Sequence, residues 1–229
     1  DAKKRQAIDS GALVWCEACN LGTTRSQPGD AALAQAYDLS AYYTHGTSHM
    51  PQVTPTIADR VLTKCAHLCD RGRMAGPDEL LAQAPGAASV LDIGCGNGDF
   101  LARLAGEGRR LVGVEPDAIA RKVAGAKGLD VLAGTAEALP ETLIGQHFDL
   151  VTFTHALEHC RDPLLALANI PPLLGENGVL YCEVPNCGSI YFQSVAPISE
   201  MLDVPRHLHF FTRAALAGFC TAAGLKVIG

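Results

Sequence analysis

Val90-Leu91-Asp92-Ile93-Gly94-Cys95-Gly96-Asn97-Gly98 decides the fold. Val90 to Ile93 reads as a short, buried strand, and it runs straight into glycines at 94, 96 and 98. A glycine turn after a strand lets the backbone pass close to a ligand, where a Cβ would obstruct it. The spacing is G-x-G-x-G and not the G-x-G-x-x-G of dinucleotide sites. Asp92 stands two positions before the first glycine. A carboxylate there serves a pyrophosphate poorly and an ammonium group well. The next strand ends at Glu115, where a carboxylate can accept hydrogen bonds from both hydroxyls of a ribose. A nicotinamide-binding, doubly wound fold is the competing reading of the same glycines.

Working outward, strands alternate with helices. The pattern predicts strand 89–93, helix 99–105, strand 110–115, helix 117–126, strands 129–133 and 148–154, and helix 163–170. Strand 178–184, a long loop, helix 212–223 and a last strand from Leu225 follow. Such alternation means an α/β fold with a parallel sheet covered on both faces. Before Pro85-Gly86 the texture differs. Helical patterns over 31–43 and 56–74 and a short helix ending at Gln83 suggest an appendage over 1–84, set before a core over 85–229. The chain begins without Met and stops just as a strand starts, so both ends are expected to continue.

Composition narrows the function classes. The 229 residues are 48% hydrophobic and 18% charged, which is globular. The formal net charge of −6 argues against a chain held on nucleic acid by phosphate neutralisation. No run of 18 apolar residues occurs, so no membrane span is expected. Nine cysteines, several inside apolar runs, and no signal-peptide pattern favour a reducing, cytoplasmic setting.

Four pieces in order resemble the class I S-adenosylmethionine-dependent methyltransferases: Leu91-Asp92-Ile93-Gly94-Cys95-Gly96-Asn97-Gly98, Val114-Glu115-Pro116-Asp117, Gly134-Thr135-Ala136-Glu137 and Phe148-Asp149-Leu150-Val151. The resemblance implies a Rossmann-like, doubly wound, mostly parallel seven-stranded sheet. It also implies S-adenosylmethionine as the methyl donor, leaving as S-adenosylhomocysteine. By it Asp92, Gly94, Cys95, Gly96 and Gly98 cradle the methionine part. Glu115 and Pro116 take the ribose side, and Ala136 and Glu137 border the adenine.

After the fourth strand comes Thr152-Phe153-Thr154-His155-Ala156-Leu157-Glu158-His159-Cys160-Arg161-Asp162-Pro163. Ligands of open α/β sheets bind beyond the carboxyl ends of strands, so Thr154 to His159 should face the cofactor. Leu157 to Pro163 resembles the Leu-Glu-His-x-x-Asp-Pro of the family's small-molecule branch. The Asn-Pro-Pro-Tyr motif of enzymes acting on base amino groups is absent. His155 or His159 suits a general base for an oxygen or nitrogen acceptor. A helix-capping role for Glu158-His159 is the alternative. The string His155-x-x-Glu158-His159 also matches a zinc-peptidase pattern, but the surrounding strands are those of a methyltransferase. Small-RNA 2′-O-methyltransferases carry a similar Glu-x-x-Glu-His with a bound metal. That resemblance makes His155, Glu158 and His159 a candidate divalent-metal set, with His155 standing where the first Glu would be.

A loop of about 25 residues after Glu183-Val184-Pro185-Asn186 is long enough to be functional. Its end, Pro205-Arg206-His207-Leu208-His209-Phe210-Phe211-Thr212, resembles the Pro-Arg-His-x-x-x-Phe-Thr of the small-molecule branch, making His207 the leading acceptor-side candidate. If this stretch is extended, His207 and His209 share a face. A buried, purely structural His207 is the other reading. Tyr42-Tyr43-Thr44-His45 resembles a cofactor-covering element, which implies contacts from Tyr43 or His45. Cys16-x-x-Cys19 resembles half of a zinc ribbon found at the start of some family members. Together these readings point to methyl transfer onto a small molecule, with an oxygen acceptor first. A catalytically idle cofactor-binding subunit and an RNA 2′-O-methyltransferase are the alternatives. The acceptor and the oligomeric state are not legible.

Overall fold

A computed structural model describes residues 13–25, 27–29, 61, 64–65, 75–190, 192, 204 and 206–229. In chain order these form β1 (Leu13–Cys16), β2 (Leu21–Thr24), α1 (Pro77–Gln83), β3 (Ser89–Ile93), α2 (Asp99–Arg103), β4 (Arg110–Glu115) and α3 (Ala118–Ala126). They continue through β5 (Asp130–Ala133), β6 (Phe148–Thr154), α4 (Pro163–Ala168), β7 (Leu174–Glu183), β8 (His209–Phe211) and α5 (Arg213–Ala222). The described residues divide into two compact units. One holds those before residue 66 together with 185–218, and the other holds 75–184 and 219–229.

The larger unit is Rossmann-like. Its five strands are all parallel, in the order β5-β4-β3-β6-β7. Val90, Leu91 and Ile93 of the central β3 and Leu150, Val151 and Phe153 of its neighbour β6 are almost fully buried. That burial on both faces explains why apolar residues stand at consecutive positions, as Val90-Leu91 and Leu150-Val151 do, and do not simply alternate with polar ones. From β3 the chain winds outward through β4 to β5, then returns to the other side of β3 with β6 and β7. The carboxyl ends of β3 and β6 therefore flank the topological switch point, where such sheets bind ligands.

Local chemistry starts and stops the elements. Asp117 caps α3 by accepting from Ile119 N at 2.8 Å, and Asp162 caps α4 by accepting from Leu165 N at 2.9 Å, with Pro163 in the first turn. At the amino-terminal rim, Asp149 Oδ2 accepts from Ala88 N, Ser89 N and Ser89 Oγ at 2.9, 2.9 and 2.8 Å. These bonds, the Ser89 hydroxyl first, hold the Asp149 carboxyl below its ordinary range.

The smaller unit carries an antiparallel sheet in the order β1-β2-β8. Leu21, Gly22 and Thr23 face Phe211, Phe210 and His209. Leu13, Cys187, Phe192 and Phe210 form its buried cluster. Two hydroxyls fasten it: Thr24 Oγ1 donates to His207 O at 2.8 Å, and Thr212 Oγ1 donates to Asn20 O at 2.9 Å.

Several expectations change. The parallel sheet has five strands among the described residues, where seven were expected. Residues 209–211, expected as loop, are a strand, because β2 offers them a partner. No strand is assigned over 225–229. β7 starts at Leu174, four residues early, and absorbs the excess through a register shift opposite Phe148–Leu150. The helical patterns over 31–43 and 56–74, with Tyr43 and His45, lie outside the described residues, apart from positions 61, 64 and 65. No helix among the described residues is long and apolar enough to cross a membrane.

Candidate functional site

The glycine turn is built from left-handed backbone. Gly94, Gly96 and Gly98 have φ of 74°, 54° and 76°, a region that costs other residues dearly. Crowding adds a second constraint. A Cβ on Gly94 would lie 2.5 Å from Ala156 Cβ, and one on Gly98 2.3 Å from Leu129 Cδ1. Space is thus kept for the protein's own packing as well as for a ligand. Cys95 is buried against Gly113. Burial pushes its thiol far above the ordinary range, so it fills space and is no nucleophile.

Two carboxylates frame the turn. Asp92 is 3% exposed and accepts from Thr152 Oγ1 at 2.8 Å. Burial pushes it up to about 7, against the Thr152 hydrogen bond and with help from the nearby Glu115 charge. Glu115 works as a latch: Oε2 accepts from Gly96 N at 2.9 Å, and Oε1 accepts from Asp117 N at 2.8 Å. Burial raises its pKa while both backbone donors pull it down. The Arg121 guanidinium donates to Glu115 O and Pro116 O at 2.8 and 2.6 Å, fixing the turn behind it.

Ala136 is buried, and Asn169 Nδ2 donates to its carbonyl at 2.9 Å. The Glu137 carboxylate turns instead to Arg161 N, at 2.8 Å. That contact ties the loop after β5 to the loop after β6.

The β6 end brings one imidazole and two carboxylates together. His155 follows β6 in left-handed conformation, φ 51°, and its N–H donates to Glu183 O at 2.9 Å. Its Nδ1 lies 3.6 Å from Glu158 Oε1 and its Nε2 3.5 Å from Glu183 Oε1. Glu158 first, then Glu183, push the imidazole up to about 10. Burial works to raise the Glu183 carboxyl, but His155 and the Tyr181 hydroxyl, which donates to Oε2, hold it low. Protonated and paired with two carboxylates, the imidazole offers no lone pair, so a base or metal-ligand role for His155 first requires loss of that proton.

Glu158 is buried and His159 half-buried in the same turn, where His159 N donates to Ala156 O at 3.1 Å. Thr154 Oγ1 is buried with no hydrogen-bond partner among the described residues. His207 and His209 belong to the smaller unit. Both are buried, with their rings against Phe210 and Phe211. Glu183 and Tyr181 escaped the sequence reading. Their only signal was positional: Glu183 pairs with Thr154, so it sits beside the same strand end.

The arrangement fits S-adenosylmethionine. An acid buried at the turn is suited to an ammonium group, the glycines leave backbone bare, and Thr154 offers an unused hydroxyl.

Comparison with known proteins agrees. The model of a family described as "methyltransferase domain" matches residues 65–229. The ubiquinone biosynthesis O-methyltransferase of Actinobacillus pleuropneumoniae serotype 7 (strain AP76) is 31% identical over 152 residues, 60% of this chain and 65% of that protein. Its Pseudomonas aeruginosa (strain UCBPP-PA14) namesake is 31% identical over 150 residues, 60% of this chain and 64% of that protein. The chain thus spans a little under two thirds of these relatives' length. Among solved structures, a putative methyltransferase from Bacillus halodurans superposes with a TM-score of 0.57 at 20% identity, covering 67% of this chain and 70% of that one. A SAM-dependent methyltransferase from Thermotoga maritima superposes with a TM-score of 0.55 at 24% identity, covering 73% and 78%. From the glycine turn between its two acids and from this match over most of its length, the chain belongs to the methyltransferase domain family, whose methyl donor is S-adenosylmethionine.

Proposed function

We propose that the chain methylates a small molecule, with oxygen as the acceptor atom. The observation that carries this reading is Asp92. A carboxylate 3% exposed, with its pKa raised to about 7 and no cationic side chain beside it among the described residues, lacks a counter-charge that an amino-acid ammonium would bring. Glu115, with both oxygens already committed to the turn, keeps lone pairs for a ribose. S-Adenosylmethionine supplies a methyl group on a sulfonium, so the leaving group is already excellent. The chain's part is then alignment, exclusion of water and removal of one proton. Glu158 and Glu183 against a single imidazolium leave the strand ends net negative, which favours a sulfonium nearby. With His155 held as a cation, the deprotonating role passes to His159, or to His207 on the strength of its Pro-Arg-His-x-x-x-Phe-Thr context. The relatives named O-methyltransferase, and the resemblance to the small-molecule branch, support oxygen over nitrogen. The acidic balance weighs against a nucleic-acid acceptor, and cytoplasmic residence follows from the cysteine pattern.

The reading is tested with a panel of phenols, catechols, sugars and amines, scored by transfer of labelled methyl, beside calorimetry of cofactor binding. Cofactor binding without transfer to any acceptor would make the chain an idle binding subunit. His159→Ala and His207→Ala should each be assayed for turnover. The base variant is expected to lose about 10²–10⁴ in kcat and to keep its cofactor affinity. Full turnover in both would remove the histidine base.

A further inference from the structure

We propose that Lys127 is a positioning residue for the methyl donor, holding the glycine turn from behind through Asn97 and Asp99. The inference rests on the assignment of that turn to S-adenosylmethionine. Lys127 stands 30 residues after Asn97, at the end of α3, where Gly128 in left-handed conformation at φ 81° stops the helix. Its Nζ donates to Asn97 O at 2.7 Å and to the Asp99 carboxylate. Asp99 is bound in turn to the asparagine side chain: Asn97 Nδ2 donates to Asp99 Oδ2 at 3.1 Å, and Asp99 N donates to Asn97 Oδ1 at 3.1 Å. One ammonium therefore grips both the main chain of the turn and the carboxylate that orients its asparagine. The same helix end also backs the turn by packing, since Ala124 and Leu129 leave no room for a Cβ on Gly98.

A turn with glycines at 94, 96 and 98 needs such a hold. Glycine takes either sign of φ at little cost, so a peptide group between two of them stays put only if it is fastened. The Asn97–Gly98 peptide is fastened on both sides: Gly98 N donates to Cys95 O at 2.9 Å, and Asn97 O accepts from Lys127. The earlier half of the turn is held from β4, where Gly94 N donates to Val114 O at 2.8 Å and Gly96 N to Glu115 Oε2 at 2.9 Å. Helix α3 thus serves both halves of the crevice. It opens with Asp117 and Arg121 beside Glu115, and it closes with Lys127 beside Asn97. Without the ammonium the turn samples other forms, and affinity falls with the fraction of molecules still in the binding form. The Lys127–Asp99 pair, with side chains 27% and 24% exposed, adds little to global stability, so its loss should appear in binding.

Calorimetry of S-adenosylhomocysteine with the full chain tests this. Lys127→Met should weaken binding about tenfold and shift Tm by less than about 3 °C. Lys127→Arg, which keeps the charge and the donors, should recover most of the affinity. Lys122→Met removes the same charge from an exposed site on the same helix and should bind as the parent does. In Lys127→Met the Gly98 amide should exchange hydrogen about tenfold faster than in the parent and regain its protection with ligand bound. Affinity of Lys127→Met within about twofold of the parent would overturn the proposal, and so would an equal loss in Lys122→Met. Asp92→Asn, measured beside them, tells the two readings apart. Weakened binding there with Lys127→Met unchanged sinks only the role of Lys127; no change there sinks the assignment of the turn, and this inference with it.

Discussion

Asp92→Asn should weaken S-adenosylmethionine binding by more than about a hundredfold. Removing one member of a buried charge pair costs about 3–5 kcal/mol, and about 1.4 kcal/mol is a factor of ten. The same residue sets a pH dependence whose sign is fixed. The Asp92 carboxyl is raised to about 7 in the fold, well above an unfolded carboxylate. Free protein therefore draws relative stability from it in acid, and loses that contribution as pH rises through 7. A cationic ligand reverses the preference. Below pH 7 the proton must leave before the ammonium can pair, so affinity should climb about fivefold from pH 6 to 7 and only about twofold more from 7 to 8. Calorimetry at pH 6, 7 and 8 reads both effects. In the same experiments ligand-free Asp92→Asn should melt no lower than the parent at pH 8, because it carries no uncompensated buried charge. Affinity unchanged by the substitution would refute the assignment of the turn.

Gly98→Ala is expected to destabilise the fold by about 2–5 kcal/mol, a large part of a typical domain's 5–15 kcal/mol. Left-handed backbone costs about 1–2 kcal/mol, and overpacking about 1–3 kcal/mol. The new Cβ would meet Leu129 Cδ1 at 2.3 Å and Ala124 Cβ at 3.1 Å. Gly108, at φ 68° with nothing within 4 Å of where a Cβ would stand, separates the two contributions. Gly108→Ala should show the backbone cost alone. Adding Leu129→Ala to Gly98→Ala should recover part of the steric cost and none of the conformational one. Urea unfolding of the parent and these variants decides. Equal losses for Gly98→Ala and Gly108→Ala would mean that Leu129 simply moves aside.

Where the sequence was legible, strong local signals agreed with tertiary need. The run Val90–Ile93, the glycine turn and Glu115 at the end of β4 all read directly from residue type and spacing. What escaped was produced by pairings distant along the chain. β8 exists because Leu21–Thr23 lie opposite His209–Phe211, and nothing near residue 209 announces that partner. The raised pKa of His155 has the same origin. One flanking acid, Glu158, lies within a turn of it, but the other, Glu183, arrives with β7. A motif shows which side chains a strand end carries; it does not show which charges a neighbouring strand brings to them.

The Asp149 clasp at the opposite rim has a kinetic consequence. It joins residues 60 and 61 positions apart, across a loop that holds β4 and β5. Loop-closure entropy delays contacts of such long separation, so β3, β4 and β5 can zip first while β6 waits. The crevice needs both β3 and β6. Competence to bind the methyl donor should therefore emerge only after β6 has docked on β3, later than the pairing of β3, β4 and β5.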